Sequence, residues 1–506
     1  IKFKKPILLR NWVKHFGLMP MMLWTKESLR NIFDGWGLRN VKGQVHSPVF
    51  KLSTQATEID TFDGLPMGDF LDSANDLTAP YCYYTSSLED WNSIGNLSQD
   101  VKEWRNLGVQ EVMGEKEEEE VNGQKEKKVD QNKDSDKKMG SEGDTEGDLS
   151  MAMLWLSHPS VTAHPHFDKS HNFLTQVIGS KKVLLWSPEQ TPFLYPHQER
   201  DPYKKQTKVD MSAPDLVKFP KFIMASAIEV ILEPGDSLYI PPFWWHRITS
   251  LTTSLSLSVV SPSKIEAILA AANYISLPFL QRNATKYPSY LKHVRMTDVE
   301  PEIRVVAVQV FIGHLLSRLS SSFSSLSSKK FSNHHIKNRM KPSNLATLVR
   351  ETLYEPHLTS SGSTLSDLLF SEQDNHLLDL CDAGSGVGGK AEQMVSAHKE
   401  ALEKLPKVAI IKAAQQVVDT LLDLSAYEGG TGILEWWLIE YLDDLARWSL
   451  GAHGALDTVV LLDEFVDRCF GSITTLPEIK PQETKWVEGN VLKIEDIDDE
   501  GEEILL

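Results

Sequence analysis

The sequence predicts a β + α protein: a strand-built domain over residues 1–262, then an all-α domain over residues 263–475. Two changes of texture predict it. From about residue 150 to 262, short apolar runs such as "MAMLWLSH", "FLTQVIG", "KKVLLWSP" and "SLSLSVVS" are split by turn residues, the pattern of strands in a sheet or barrel. Further on, "PKVAIIKAAQQVVDTLLDL" repeats apolar residues at Ile410, Val417 and Leu421 and again at Ile411, Val418 and Leu422, as a helix buried on one side requires. "GILEWWLIEYLDDLARWSL" and "LDTVVLLDEFVDRCF" share that texture, and Trp436 and Trp437 read as helix core.

A chain of 506 residues is too long for one ordinary core, so two folded domains with some unfolded sequence are expected. Residues 114–148 contain no aromatic side chain and almost nothing to bury, which predicts a disordered acidic insert around which the strand domain closes. The run "SRLSSSFSSLSSKKFSNHH" over 317–335 reads as a loop, and residues 476–506, ending "EDIDDEGEEILL", as a mobile acidic tail.

The net charge of -18 repels phosphate backbones, and no basic patch offsets it, so nucleic acid is disfavoured as the main partner. Cys82, Cys381 and Cys469 are scattered, which excludes a disulfide framework and a zinc ribbon and favours a reducing compartment, cytoplasmic or nuclear. No apolar run is long enough to span a bilayer, so no membrane partner is expected. The opening "IKFKKPILLRNW" is broken by charge too early for a signal peptide, although a chain starting at Ile1 leaves room for a trimmed targeting segment. The sequons at Asn96 and Asn283 matter only in a secreted protein.

The chemistry concentrates in "TAHPHFDKSHNF", residues 162–173. Residues two apart on a strand share a face, so His166 and Asp168 are predicted to project together. A His-x-Asp pair is two thirds of the two-histidine, one-carboxylate triad that holds Fe(II) and leaves positions open. The second histidine must come from another strand, and His246 in "EPGDSLYIPPFWWHRI" is the candidate. His164 and His171 are expected to be surface or supporting residues rather than ligands. Trp244 and Trp245 read mainly as barrel packing and cavity lining, with Trp244 kept as a candidate substrate contact.

Taken in order, "KPILLRNWVKHFG", "HFDKSHNFLTQVIGSKKVLLWSP", "VDMSAPDLVKFPKF" and "EPGDSLYIPPFWWHRI" resemble the JmjC or cupin-like family of Fe(II) and 2-oxoglutarate dependent oxygenases. The nearest flavour is the protein-hydroxylase branch that includes factor inhibiting hypoxia-inducible factor. The resemblance implies a double-stranded β-helix, the jelly-roll barrel, with N-terminal helices. It also implies that His166, Asp168 and His246 hold iron, and that Lys181 pairs with the distal carboxylate of 2-oxoglutarate. Alternation lets only one of Lys181 and Lys182 face the interior, where an ammonium without a partner is costly and a dicarboxylate would pair it. Asn172 and Tyr83, the latter in "PYCYYTSS", match further residues around the cosubstrate.

The sequence departs from the family pattern in places. Ala163 stands where the family often has a threonine, and a one-residue shift would let Thr162 restore the hydroxyl. "SVVSPS" stands where the asparaginyl hydroxylases carry an asparagine and a tryptophan. Gln206 falls where that branch has a substrate-contacting glutamine.

The implied reaction turns 2-oxoglutarate into succinate and carbon dioxide while hydroxylating a C–H bond, with a protein side chain as the first-choice substrate. Demethylation of methyl-lysine, with loss of formaldehyde, is the alternative. A non-catalytic scaffold that binds partners through the helices and the insert is a rival of another class. A zinc hydrolase is a third, and would leave Lys181 without a partner. The apolar faces around Trp436 and Leu462 suit a homodimer through the C-terminal helices, or packing on the barrel.

Overall fold

The run Ser254–Ser261 shows how alternation builds the strand domain. Leu255, Leu257 and Val259 are fully buried on one face, and Ser254, Ser256 and Ser258 are buried on the other, so this strand has no solvent side. The computed structural model describes residues 5–15, 24–33, 37–51, 59–76, 78–87, 104, 151–197, 203–276, 407–427, 429–430, 432–438, 440–441, 491–493 and 503–505, with isolated positions between 311 and 322. Residues 114–148, most of 317–335, Leu462, the sequon asparagines Asn96 and Asn283, and two of the three cysteines lie outside the described residues.

The chain forms two units: residues 1–185, 227–263 and 491–506 in one, and residues 186–226 and 264–490 in the other. Residues 186–226, placed with the strands from their sequence, therefore group with the helices. They contain a short helix, Thr191–Leu194, and 3-10 turns in place of long strands.

The first unit contains the strands β1 (Ile7–Leu9), β2 (Gly37–Leu38), β3 (Val41–Gln44), β4 (Val49–Phe50), β5 (Asp60–Phe62), β6 (Leu65–Pro66), β7 (Tyr81–Ser87), β8 (Met151–Ser157) and β9 (Thr162–Phe167). It continues with β10 (His171–Ile178), β11 (Lys181–Trp186), β12 (Ala227–Leu232), β13 (Ser237–Ile240), β14 (Trp245–Ser250), β15 (Ser254–Ser261), β16 (Val491–Lys493) and β17 (Glu503–Leu505). One sheet runs β17-β1-β13-β10-β15-β8-β7-β3-β5 and the second β16-β12-β11-β14-β9-β4, with β2 and β6 a separate pair. From β8 to β15 the chain passes back and forth between the two sheets, the interleaving of a jelly roll. This is the double-stranded β-helix that the sequence predicts.

Two apolar cores result. Between the sheets lie Leu8, Leu174, Val183, Leu185, Val230, Leu232, Leu238, Ile240 and Trp244. The outer face of the larger sheet is covered by the predicted N-terminal helices: Trp12 and Val13, Leu29, and Phe70 and Leu71 pack against Leu154, Leu156, Phe173, Leu255, Leu257 and Val259.

The turn Pro234-Gly235-Asp236 joins β12 to β13, which lie in different sheets, so it carries the chain from one sheet to the other. Gly235 takes a left-handed φ of 96°, and the Asp236 carboxylate accepts from the Arg10 guanidinium at 2.6 Å and from the backbone N–H groups of Asn11 and Glu233, both at 3.0 Å. This corner ties β1 to the barrel. Residues 476–506, read from sequence as a mobile tail, contribute two strands: β16 pairs in parallel with β12, and β17 pairs antiparallel with β1.

In the second unit, the helix Lys407–Leu421 buries Val417, Val418 and Leu421 as its periodicity predicts, and packs on the helix Lys264–Ser276. Trp436 and Trp437 are buried core residues, and the Trp437 indole N–H donates to Asn273 Oδ1 at 2.9 Å.

Candidate metal centre

His166 sits near the end of β9, directly opposite His246 on β14. Directly opposed residues of an antiparallel pair share a face, and the two imidazole centroids are 4.2 Å apart. Asp168 arrives differently from the sequence argument. β9 ends at Phe167, and Asp168 lies just beyond it, its carbonyl accepting from the Phe243 N–H at 2.7 Å. Phe243 holds a left-handed φ of 64°, a conformation costing a bulky residue about 1–2 kcal/mol, and its ring stacks on Phe167 at 5.4 Å. A turn, and not strand alternation, brings the carboxylate to the histidines.

The ligand atoms of His166, Asp168 and His246 all lie within 4.8 Å of one another, so the three can hold a metal ion. Asp168 Oδ2 is 3.7 Å from His246 Nε2. Each histidine donates Nδ1–H to the backbone carbonyl two residues before it, His166 to His164 at 2.8 Å and His246 to Trp244 at 3.0 Å. A carbonyl only accepts, so both rings carry the proton on Nδ1 and keep the Nε2 lone pair for a ligand. Burial holds the His246 imidazole below its usual pKa, helped by His166 and opposed by Asp168. It is therefore neutral near pH 7, the form that binds metal. Two imidazoles and one carboxylate in this geometry fit Fe(II).

Lys181 lies on the same face of β11 as Val183 and Leu185, which belong to the core between the sheets. Lys182 points the other way, 3.8 Å from Glu229. Burial pushes the Lys181 ammonium down to about 7, and among the described residues no hydrogen bond or ion pair reaches it. Asn172 shares its face of β10 with Leu174, and its amide oxygen is buried with no partner. Tyr83 lies opposite Ser157, its ring edge-to-face with Phe50 at 4.8 Å and its hydroxyl pKa raised by burial. The Lys181 ammonium and the Tyr83 phenol are donors that fit an anionic cosubstrate, whereas the orphaned Asn172 Oδ1 is an acceptor and leaves only its amide NH2 for that purpose.

Other residues fall elsewhere. Between the pairs His166–His246 and Ala163–Ile248, β9 has one residue more than β14. That bulge puts Ala163 on the face of Ile248, which packs on the interior core, and turns Thr162 away. Thr162 bonds instead to Thr249 Oγ1 and the Ser160 carbonyl, both at 2.9 Å, so the one-residue shift that would restore the family's hydroxyl does not occur. His164 and His171 are buried and not on the surface, and neither joins the cluster; His171 Nδ1 is 2.7 Å from the Tyr239 hydroxyl. Gln206 is buried in the second unit, its backbone bonded to Tyr203 and His197. Trp244 packs in the interior core with its indole N–H unpartnered. The interior also holds the buried serines Ser157 of β8, Ser250 of β14 and Ser254 of β15, of which only Ser254 belongs to the Ser-Leu-Ser-Leu-Ser alternation, so nothing local marks the other two.

The family described as a cupin-like domain matches residues 2–274, more than half of the chain, and the chain belongs to that family. Two of its similar curated proteins are named for a Jumonji C domain, and others carry the names of a demethylase and of a tRNA-modifying protein. The chain is 41% identical over 103 residues to "JmjC domain-containing protein D" of Dictyostelium discoideum, covering 20% of this chain and 23% of that protein. It is 43% identical over 117 residues to "Lysine-specific demethylase 8" of Danio rerio, covering 23% and 28%. It is 38% identical over 104 residues to "tRNA wybutosine-synthesizing protein 5" of Danio rerio, covering 21% and 30%. The matched segments thus span less than a third of each relative. Among the described residues, no helix is long and apolar enough to cross a membrane.

Proposed function

We propose that this chain is an Fe(II) and 2-oxoglutarate dependent dioxygenase that hydroxylates a protein side chain, in the cytoplasm or nucleus. The observation that carries the proposal is the convergence of His166, Asp168 and His246 within 4.8 Å, with both Nε2 lone pairs free. His166 and His246 would hold the metal through Nε2, and Asp168 would supply a carboxylate oxygen. Lys181 would pair with the cosubstrate's distal carboxylate, and Asn172 and Tyr83 would offer their amide and phenol to it. With dioxygen as the oxidant, bound iron and 2-oxoglutarate would supply oxidative decarboxylation, one oxygen atom going into succinate as carbon dioxide leaves and the other into a C–H bond of the substrate. The apolar interior around Leu174, Val183 and Trp244 would keep bulk water from the reacting centre.

The test is anaerobic titration with Fe(II) and 2-oxoglutarate, read by the visible charge-transfer band. The band is expected in the intact protein, absent in Asp168→Ala and weakened in Lys181→Ala. A folded protein that gives no band sinks the proposal and favours a scaffold.

A second reading is demethylation of methyl-lysine, favoured by the relative named for that activity. Formaldehyde release from methylated peptides would distinguish it from stable hydroxylation. The net charge of -18 weighs against RNA, though two relatives are named for tRNA modification. Association through the C-terminal helices belongs to the same proposal.

A further inference from the structure

Three serines from three strands meet inside the barrel. Ser157 Oγ of β8 lies 2.6 Å from Ser250 Oγ of β14 and 3.3 Å from Ser254 Oγ of β15, and Ser250 and Ser254 are 3.2 Å apart. All three are buried. They bridge the two sheets at one level. The Leu251 N–H donates to the Ser180 carbonyl at 2.9 Å, which sets Ser250 beside Lys181 on neighbouring strands. On the other side, Ser157 lies opposite Tyr83. Lys181, the three serines and Tyr83 therefore occupy successive places on neighbouring strands around the interior.

A hydroxyl carries one proton and two lone pairs. The 2.6 Å contact commits one proton firmly, whereas the contacts of 3.2 and 3.3 Å are long for O–H···O, so two protons can turn to a better acceptor at little loss. No hydrogen bond joins the triad to Lys181. An anion lying between them would satisfy both at once, and charge-assisted bonds are the stronger kind. Ala163, which faces the interior, has no hydroxyl to offer.

We propose that Ser157, Ser250 and Ser254 form the hydroxyl side of the seat for the cosubstrate's distal carboxylate, with Lys181 as its cationic side; this rests on the oxygenase reading. The triad then selects a chelator that carries a distal carboxylate over a ligand that only chelates the metal. Two probes separate these terms by calorimetry on the manganese-loaded full chain. N-oxalylglycine has both a chelating end and a distal carboxylate, and oxalate chelates but has no distal carboxylate. Ser250→Ala is expected to weaken N-oxalylglycine about tenfold and to leave oxalate within about twofold. Ser157→Ala is expected to do the same, and decides the matter if Ser250→Ala does not fold. Equal weakening of both probes, or no change in either while Lys181→Ala still weakens N-oxalylglycine selectively, makes the triad a structural strut and overturns the proposal. An intact protein that binds neither probe overturns the oxygenase reading itself, and the seat with it.

Discussion

The two faces of β15 differ more than their shared burial suggests. Outward, Leu255, Leu257 and Val259 pack under the N-terminal helices, where only shape and area matter. Inward, Ser254 joins the serine triad, Ser256 donates to Gln176 Oε1 at 2.7 Å, and Ser258 accepts from the Trp155 indole at 3.0 Å. One face therefore holds the sheet together, and the other presents groups to whatever enters the barrel. The usual order, apolar inside and polar outside, is turned round in this strand because a second core lies on its outer side. Substitutions on the two faces should separate cleanly into losses of stability and losses of binding.

The largest effect is expected outside. Leu257→Ala removes a fully buried side chain and should lower stability by about 2–5 kcal/mol in chemical denaturation, with N-oxalylglycine affinity per folded molecule unchanged. A parallel fall in affinity would show that the two faces are not independent. Inside, Lys181 makes stability depend on pH. Its folded pKa, about 7, lies below its ordinary 10.5, so the folded state resists the proton that the unfolded chain accepts. The penalty is full below about pH 7 and is relieved as pH rises toward 10.5. Relative to Lys181→Met, the intact protein should gain up to roughly 1.4 kcal/mol per pH unit across that window, measured by denaturation at several pH values. A flat difference would mean that the ammonium is solvated or paired. The smallest effect is expected at Thr162→Val, which loses bonds to Thr249 and Ser160 for about 1 kcal/mol. Cosubstrate affinity should stay put; a marked fall would put the Thr162 hydroxyl back in the site.

How far these features were legible depends on whether they are local. His166, Asp168 and His246 stand in ordered runs that resemble the family's, and the same resemblance singles out Lys181, which alternation separates from Lys182. The helix Lys407–Leu421 announces itself by its period. The bulge in β9 has no sequence mark, and it decides whether residue 162 or 163 faces inward. The serine triad draws one residue from each of three strands, and no window of sequence contains all three. The strands near the C-terminal end were hidden by their charge: "EDIDDEGEEILL" reads as solvated, yet Glu503–Leu505 pairs with β1 through backbone groups that any residue but proline possesses.

That indifference of backbone to side chain has a consequence at the metal centre. His166 and His246 are each oriented by a main-chain carbonyl, at His164 and at Trp244. No substitution at 164 or 244 deletes that acceptor. The tautomer of both rings is thus set by main-chain groups that no substitution at those positions removes, and the buried side chains of His164 and Trp244 answer to packing instead of to the orientation of the ligands.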